Sequence, residues 1–460
     1  MNVYDSEQIA DALKPLGYDE TSGIKDADLI IVNTCAIREK AEQKVFSFLG
    51  RLAVLKRTKP GIIIAVGGCV AQQEGEKILR RAPYLDVVFG THAIGRLPNI
   101  IRRVEDRKIR IIDVGTATPI DDLELSHPTA HGSNVTRFVT IMRGCDNYCT
   151  YCVVPYVRGE ERSRDPERIV REISGLVATG VREVTLLGQN VNSYGKKEGL
   201  CSFPQLLYRV NGIADLLRIR FTTSHPKDLS DELINAFDEL PKLCNHIHLP
   251  VQSGSNKILL KMNRKYNREK YLEKVDKLRA KNPGIAISSD FIVGFPGETS
   301  AEFEKTLKLI KRVEYDTLFA FKYSDRPNAS AARFADKIPE KEKTDRLQRL
   351  LDLQEEITLK KNRSLVGSTQ TVLVEGLSKK QSNAHQQTRL PDDIQITGRT
   401  STNKIVNFIR GDADQSDIEM LTGRLVRVRI NRAYSHSLWG KAIRNVPSVT
   451  VWKGVASDAA

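Results

Sequence analysis

The chain has 460 residues, 40% hydrophobic and 28% charged, which is enough apolar content for two to four packed domains and excludes a disordered chain. A formal net charge of +14 points to a polyanionic partner, nucleic acid first, against the plainer reading of a merely solvated surface. No run approaches the length of a membrane span, and the start, Met1 to Ser6, has no basic region followed by an apolar run, so neither a span nor a signal peptide is expected. Seven cysteines, an odd number with three on one loop, do not form a secreted disulfide framework and fit a reducing cytoplasm.

Residues 4–16 read as a helix, with Asp5 or Ser6 as N-cap and Ile9 and Leu13 on one face. Residues 27–32 are a short apolar run, predicted as a buried strand, followed by Asn33-Thr34-Cys35 and a helix over about 37–55. The unit then repeats, with a strand at 61–66, a turn at Gly67-Gly68-Cys69, a helix at 71–81 and a strand at 85–89. This alternation predicts a doubly wound α/β domain over residues 1–105. Cys35 and Cys69 fall just past strand C-termini, where ligands of open α/β sheets gather. Taken alone, two such cysteines are small core residues and a poor cluster site. An alternating domain should open on a strand, yet this one opens on a helix, so the true start is expected upstream. Residues 106–130 are expected to be linker; 114–136 are polar, lack periodicity and carry two prolines and two glycines.

From residue 131 to 363 six strands alternate with helices: 138–142, 183–187, 217–222, 245–250, 285–292 and 316–323. Six β/α units make an open, partial form of the eight-fold barrel, whose chemistry sits at strand C-termini. Polar residues stand at each of these ends. They are the cysteine loop, Gln189-Asn190, Thr223-Ser224-His225, Gln252-Ser253, Asp290 and Tyr323-Ser324. Singly, each is equally well a loop cap, and His225 and His248 are expected to be structural. Asp165-Pro166 should start a helix with a cap and a proline at its first position. Gly294-Phe295-Pro296-Gly297-Glu298 lacks the spacing and the lysine of a phosphate-binding loop.

The first strand runs into Arg143-Gly144-Cys145-Asp146-Asn147-Tyr148-Cys149-Thr150-Tyr151-Cys152, three thiols at C-x3-C-x2-C. Thiolates suit iron–sulfur clusters and zinc. Structural zinc takes four ligands, commonly as two pairs, and no fourth cysteine or histidine stands close by. Three thiolates on a [4Fe-4S] cluster leave one iron open; a zinc knuckle and three unrelated core cysteines are the other readings of this spacing.

Residues 340–362 form a charged helix with leucines at helical spacing. Short alternating strands follow at 369–375, 404–409, 423–430 and 438–442, a small β-barrel over residues 364–446. Residues 379–395 read as a polar insertion, and residues 447–460 as an uninformative tail.

The cysteine loop, with Tyr151 before its last cysteine, resembles the radical S-adenosylmethionine (SAM) superfamily. Val154-Pro155-Tyr156, residues 158–164 (RGEERSR), 187–194 (LGQNVNSY), 222–226 (TTSHP) and 248–255 (HLPVQSGS) look like the methylthiotransferases, in their MiaB branch, and the C-terminal small β-barrel resembles the TRAM domain, an OB-like RNA-binding module. The resemblance covers nearly the whole chain. It implies two [4Fe-4S] clusters, a SAM-binding one on Cys145, Cys149 and Cys152 and an auxiliary one on Cys35 and Cys69 with a third cysteine that this chain lacks. It implies a SAM pocket drawing on Tyr151, Gln189, Asn190, Gln252 and Asp290, and tRNA contacts from Arg399, Lys404, Arg427, Arg429 and Lys441. The implied activity is radical methylthiolation of carbon 2 of dimethylallyl-adenosine in the tRNA anticodon stem-loop. The implied setting is a cytoplasmic monomer with a flavodoxin- or ferredoxin-like electron donor. Sister enzymes acting on threonylcarbamoyl-adenosine or on a ribosomal-protein aspartate, and a non-catalytic iron–sulfur RNA-binding protein, are the alternatives. Asp325-Arg326-Pro327-Asn328-Ala329 departs from the family's Arg-Pro-Gly-Thr continuation.

Overall fold

The computed structural model describes residues 1–34, 39–115, 135–378, 395–409 and 420–443; Cys35 lies outside them. It divides into two units, Met1–Thr358 and Leu359–Ala460.

The first unit opens with α1 (Asn2–Leu13), β1 (Leu29–Thr34), α2 (Glu39–Thr58), β2 (Ile63–Gly68), α3 (Cys69–Glu74), α4 (Glu76–Arg81), β3 (Val87–Phe89), α5 (Leu97–Arg107) and β4 (Ile111–Asp113). The four strands pair in parallel in the order β1-β2-β3-β4. Every residue of β2 is buried, as the continuous apolar run Ile62 to Val66 requires of a strand covered on both faces. Ile64 and Val66 pack on Leu49 and Leu52 of α2, while Ile63 and Ala65 pack on Ile9 and Leu13 of α1 and Ile100 and Ile101 of α5.

Three sequence expectations change here. Neither Asp5 nor Ser6 caps α1, which starts at Asn2. Asp5 instead sits inside the helix, buried, because Arg158 holds its charge. The helix expected over 71–81 breaks into α3 and α4 at Gly75, whose φ of 47° ends a helix turn. The fourth strand falls inside the stretch expected to be linker; three residues are too few to show a period, and β4 exists through its pairing with β3.

The barrel comprises β5 (Thr136–Thr140), β6 (Met142–Arg143), α6 (Val154–Arg158), β7 (Arg162–Ser163), α7 (Pro166–Ala178), β8 (Glu183–Leu187), α8 (Phe203–Asn211), β9 (Arg218–Phe221), α9 (Asp231–Glu239), β10 (His246–His248), α10 (Asn256–Lys261), α11 (Arg268–Lys281), β11 (Ala286–Val293), α12 (Ser300–Val313), β12 (Thr317–Lys322) and α13 (Glu340–Arg363). Two parallel sheets, β5-β8-β9 and β10-β11-β12, meet through one parallel bridge between Ile219 and Leu243. The result is the six-unit partial barrel expected. Strand residues alternate. Val139, Val184, Leu186, Ile219, Phe221, Ile247, Phe291 and Leu318 pack in one core with the helices. Phe138, Arg218, Arg220, His248, Ser288, Asp290 and Phe319 therefore face the lumen. Asp165 caps α7 by accepting from Arg168 N at 2.9 Å, with Pro166 at the first helical position.

In the second unit β13 (Thr369–Leu377), β14 (Gln395–Thr400), β15 (Ile405–Ile409), β16 (Leu425–Ala433) and β17 (Leu438–Ala442) close a barrel in the order β13-β14-β15-β17-β16 around Val372, Val374, Ile396, Phe408 and Ile430. The sequence reading lacked β14, which begins where the polar insertion ends. No helix among the described residues is long and apolar enough to cross a membrane.

Candidate functional site

The cysteine loop leaves the end of the first barrel strand between β6 and β7, which pair antiparallel and hold its two ends together. Gly144 makes the exit. Its φ is +78°, and a Cβ there would lie 1.9 Å from the Glu160 carbonyl oxygen, so no other residue fits. Its N–H donates to Gln189 Oε1 at 2.5 Å, tying the loop to the next strand end. Thr150 seats the middle of the loop, donating from N to Met262 O at 3.1 Å and from Oγ1 to Lys261 O at 2.9 Å. Ala331 N donates back to Thr150 O at 2.8 Å, so the segment that follows the departure at Asp325 packs on this loop.

Each of the three sulfurs receives an N–H. Asn147 Nδ2 donates to Cys145 Sγ at 3.4 Å, Val154 N to Cys152 Sγ at 3.4 Å and Arg264 Nη1 to Cys149 Sγ at 3.3 Å. Burial, then the neighbouring Cys149, pushes the Cys152 thiol up to about 12, and burial also raises Cys145. Among the described residues no three His, Cys, Asp or Glu side chains are already gathered as a metal-binding group. The donor set still fits a cluster: three soft ligands on one loop, with N–H donors to sulfur of the kind that stabilise iron–sulfur centres.

Sequence reasoning missed Arg264. It lies in Met262-Asn263-Arg264-Lys265-Tyr266, the connection between α10 and α11. Left-handed Asn263 and Lys265, at φ 59° and 64°, turn its side chain inward. Two non-glycine residues at positive φ are the signal, invisible in sequence.

A second buried group lies where the first domain meets the barrel. Cys69 starts α3 and is buried. Arg158, at the end of α6, hydrogen-bonds Cys69 and forms an ion pair with Asp5 of α1 at 2.6 Å. Burial pulls the Arg158 guanidinium down, but Asp5 and Cys69 outweigh it and hold it above its ordinary range. Burial, then Arg158, lowers Arg143 to about 10. Burial, then Arg143, Arg158 and Arg96, lowers His92 to about 4. Arg143 Nε and His92 Nε2 are buried without partners. Arg158 thus holds the Asp5 carboxylate, with a second guanidinium, a thiol and two unpartnered side-chain nitrogens close by. Such a recess suits an anionic, sulfur-rich group.

The residues expected to hold SAM are distributed unevenly. Tyr151 joins the thiol site, accepting from Arg264 Nη1 at 3.3 Å. Gln189 spends its oxygen on Gly144. Asn190 faces inward, donating to Asp228 Oδ2 at 2.8 Å and accepting from His225 N at 3.1 Å. Gln252 has φ +77° and is buried, its main chain bonded to Asp290 O and Ile292 N. Asp290 lies in the lumen, 3.5 Å from His248 Nε2. Three other side chains at the β8 and β9 ends, Asn192, Ser224 and His225, carry buried polar atoms without partners. Thr223 between them is left-handed at φ +68°, a strained state for a β-branched residue. The Gly294–Glu298 turn is no phosphate cradle, because Gly294 N donates to Glu298 Oε2 and Gly297 N to Asp336 O.

On the C-terminal barrel Arg427 and Arg429 point outward from β16, and Lys441 of β17 pairs in register with Arg429. Arg399 and Lys404 are held by Glu375 at 3.0 Å and by Asn362 Oδ1 at 2.9 Å.

Comparison with known proteins follows this layout. Residues 139–310 match the radical SAM superfamily, residues 1–90 the family described as uncharacterized protein family UPF0004, and residues 363–443 the TRAM domain. A tRNA-2-methylthio-N(6)-dimethylallyladenosine synthase of Desulfosudis oleivorans is 54% identical over 443 residues, 96% of this chain and 94% of that protein. One from Geobacter metallireducens is 51% identical over 444 residues, 96% of each chain. The chain belongs to the tRNA-2-methylthio-N(6)-dimethylallyladenosine synthase family. It is a radical SAM tRNA methylthiotransferase, and SAM and [4Fe-4S] clusters are the cofactors of its class. Among solved structures, the radical SAM methyltransferase TsrM from Kitasatospora setae, with cobalamin and a [4Fe-4S] cluster bound, superposes at a TM-score of 0.53. At 13% identity, over 72% of this chain and 71% of that one, it shares the fold alone.

Proposed function

We propose that the chain methylthiolates carbon 2 of N(6)-dimethylallyladenosine at position 37 of tRNA, beside the anticodon, using two SAM and two [4Fe-4S] clusters. The observation that carries this reading is the thiol loop at the barrel mouth, with an N–H on each sulfur, in a chain about half identical to synthases of that name. Cys145, Cys149 and Cys152 hold the SAM-binding cluster; Cys69, with Cys35, holds the auxiliary one. Together with SAM, these clusters would supply a 5′-deoxyadenosyl radical and a methylthio group, chemistry that reaches an unactivated carbon–hydrogen bond beyond acid–base catalysis.

The protein's own part is placement. Gly144 and Thr150 fix the loop on the strand ends. The unpartnered polar atoms of Asn192, Ser224 and His225 receive SAM, with Tyr151, Gln189, Asn190, Gln252 and Asp290 around it. The lumen, with Phe138 and Phe319 exposed on its first and last strands, takes the splayed base and its apolar dimethylallyl group. Arg427, Arg429 and Lys441, with Arg399 and Lys404, carry phosphate contacts to the anticodon stem-loop. A low-potential flavodoxin or ferredoxin supplies electrons to a cytoplasmic monomer.

The test is anaerobic reconstitution, followed by assay on a stem-loop carrying dimethylallyl-adenosine and on one carrying threonylcarbamoyl-adenosine. About eight irons per chain, two clusters' worth, with methylthiolation of the first substrate supports the proposal. About four irons with SAM cleavage alone refutes the two-cluster reading, and turnover of the second substrate alone refutes the substrate.

A further inference from the structure

We propose that Arg264 is a positioning residue for the SAM-binding cluster, whose buried charge acts through Cys149 to set the cluster's reduction potential and to fix it against the end of β10. The inference rests on the cluster reading of Cys145, Cys149 and Cys152. Arg264 is 4% exposed. Its Nη1 donates to Cys149 Sγ and to Tyr151 OH, each at 3.3 Å, its Nη2 to Pro250 O at 2.7 Å and its Nε to Tyr266 OH at 3.0 Å. Tyr266 in turn donates to Val251 O at 2.9 Å. These partners are a carbonyl, two phenols and a thiol; no carboxylate is among them.

A buried guanidinium without a carboxylate is costly to hold. It becomes balanced when the sulfur beside it is a thiolate of a net anionic cluster. The forked geometry of arginine also joins the cysteine loop, through Cys149 and Tyr151, to the strand end that leads into left-handed Gln252, while its Nε holds Tyr266, an arrangement a lysine ammonium does not reproduce. Net charge and hydrogen bonds to sulfur are levers on cluster potential. A cation at a ligand sulfur favours the reduced state, which carries one more electron, so losing the cation makes that electron harder to add.

The test is the midpoint potential of the cluster in the full chain, followed by electron paramagnetic resonance, for wild type, Arg264→Gln and Arg264→Lys. Arg264→Gln is expected to move the potential to more negative values at unchanged iron content, and Arg264→Lys to move it less in the same direction. A purely structural role would lower iron content or stability and leave the potential of assembled cluster in place; that result overturns the inference. Should Arg264→Gln fail to assemble, wild type labelled with 15N in its arginine side chains decides the matter. A weak 15N coupling to the reduced cluster is expected, absent in Arg264→Lys grown with the same label. No coupling in wild type overturns the inference. The cluster reading fails separately, if Cys149→Ala still assembles a SAM-binding cluster with wild-type spectra.

Discussion

Replacing Asp5 with alanine tests the contact that joins the first domain to the cysteine loop. The Asp5 and Arg158 side chains are 4% and 3% exposed, with oxygen–nitrogen distances of 2.6 and 3.4 Å. Arg143, a like charge, acts on Arg158's surroundings from the loop side. An exposed pair would be worth up to about 1 kcal/mol. Removing one partner of a buried pair costs about 3–5 kcal/mol, because the survivor stays desolvated and unpaired. Removing both charges, as in Asp5→Ala with Arg158→Met, should cost less than Asp5→Ala alone. The assay is hydrogen exchange of the α1 amides in the metal-free chain, since local opening reports this contact without requiring a two-state chain. At about 1.4 kcal/mol per decade, Asp5→Ala should speed exchange in α1 by roughly a hundredfold or more, and the double variant by less. A change below about tenfold, or a double variant as costly as the sum of the two singles, would refute the argument from burial.

Other outcomes follow from the same structure. Lys227 N donates to His225 Nδ1 at 3.2 Å, and burial, then Arg264, lowers this imidazole to about 2. The unfolded chain therefore binds the extra proton first as pH falls below about 6.5, and stability declines downward from there by up to about 1.4 kcal/mol per pH unit. Urea unfolding of His225→Asn should show that slope reduced, and an unchanged slope would disprove the assignment. Gly144→Ala should abolish cluster assembly, measured as iron per chain, since its Cβ meets the Glu160 carbonyl; normal iron content would show that the turn relaxes. Arg427→Ala with Arg429→Ala should weaken tRNA binding and reduce the slope of log affinity against log salt by about one per lost contact. An unchanged slope would take β16 out of the RNA face. Thr223→Gly should stabilise the chain by about 1 kcal/mol through release of its positive φ; destabilisation would show that the Thr223 side chain holds more than its backbone costs.

Much of this protein was written locally in its sequence. The cysteine spacing, the alternation of apolar strands with capped helices and the cap at Asp165-Pro166 depend on neighbours a few residues apart, so period and spacing reveal them. The six-unit barrel and the family resemblance followed from those. Tertiary structure decided what depends on residues far apart in the chain. Asp5 looks like a helix cap until Arg158, 153 residues away, buries it. The strands β4 and β14 exist through their pairing with β3 and with β13 and β15. Asn190, polar and at a strand end, is consumed by Asp228 and His225, while Asn192 two positions on is left without partners. Arg264 reaches Cys149 across 115 residues because two left-handed residues flank it. A charge, a hydrogen bond or a positive φ takes its meaning from what the fold places beside it, and sequence spacing carries no record of that neighbour.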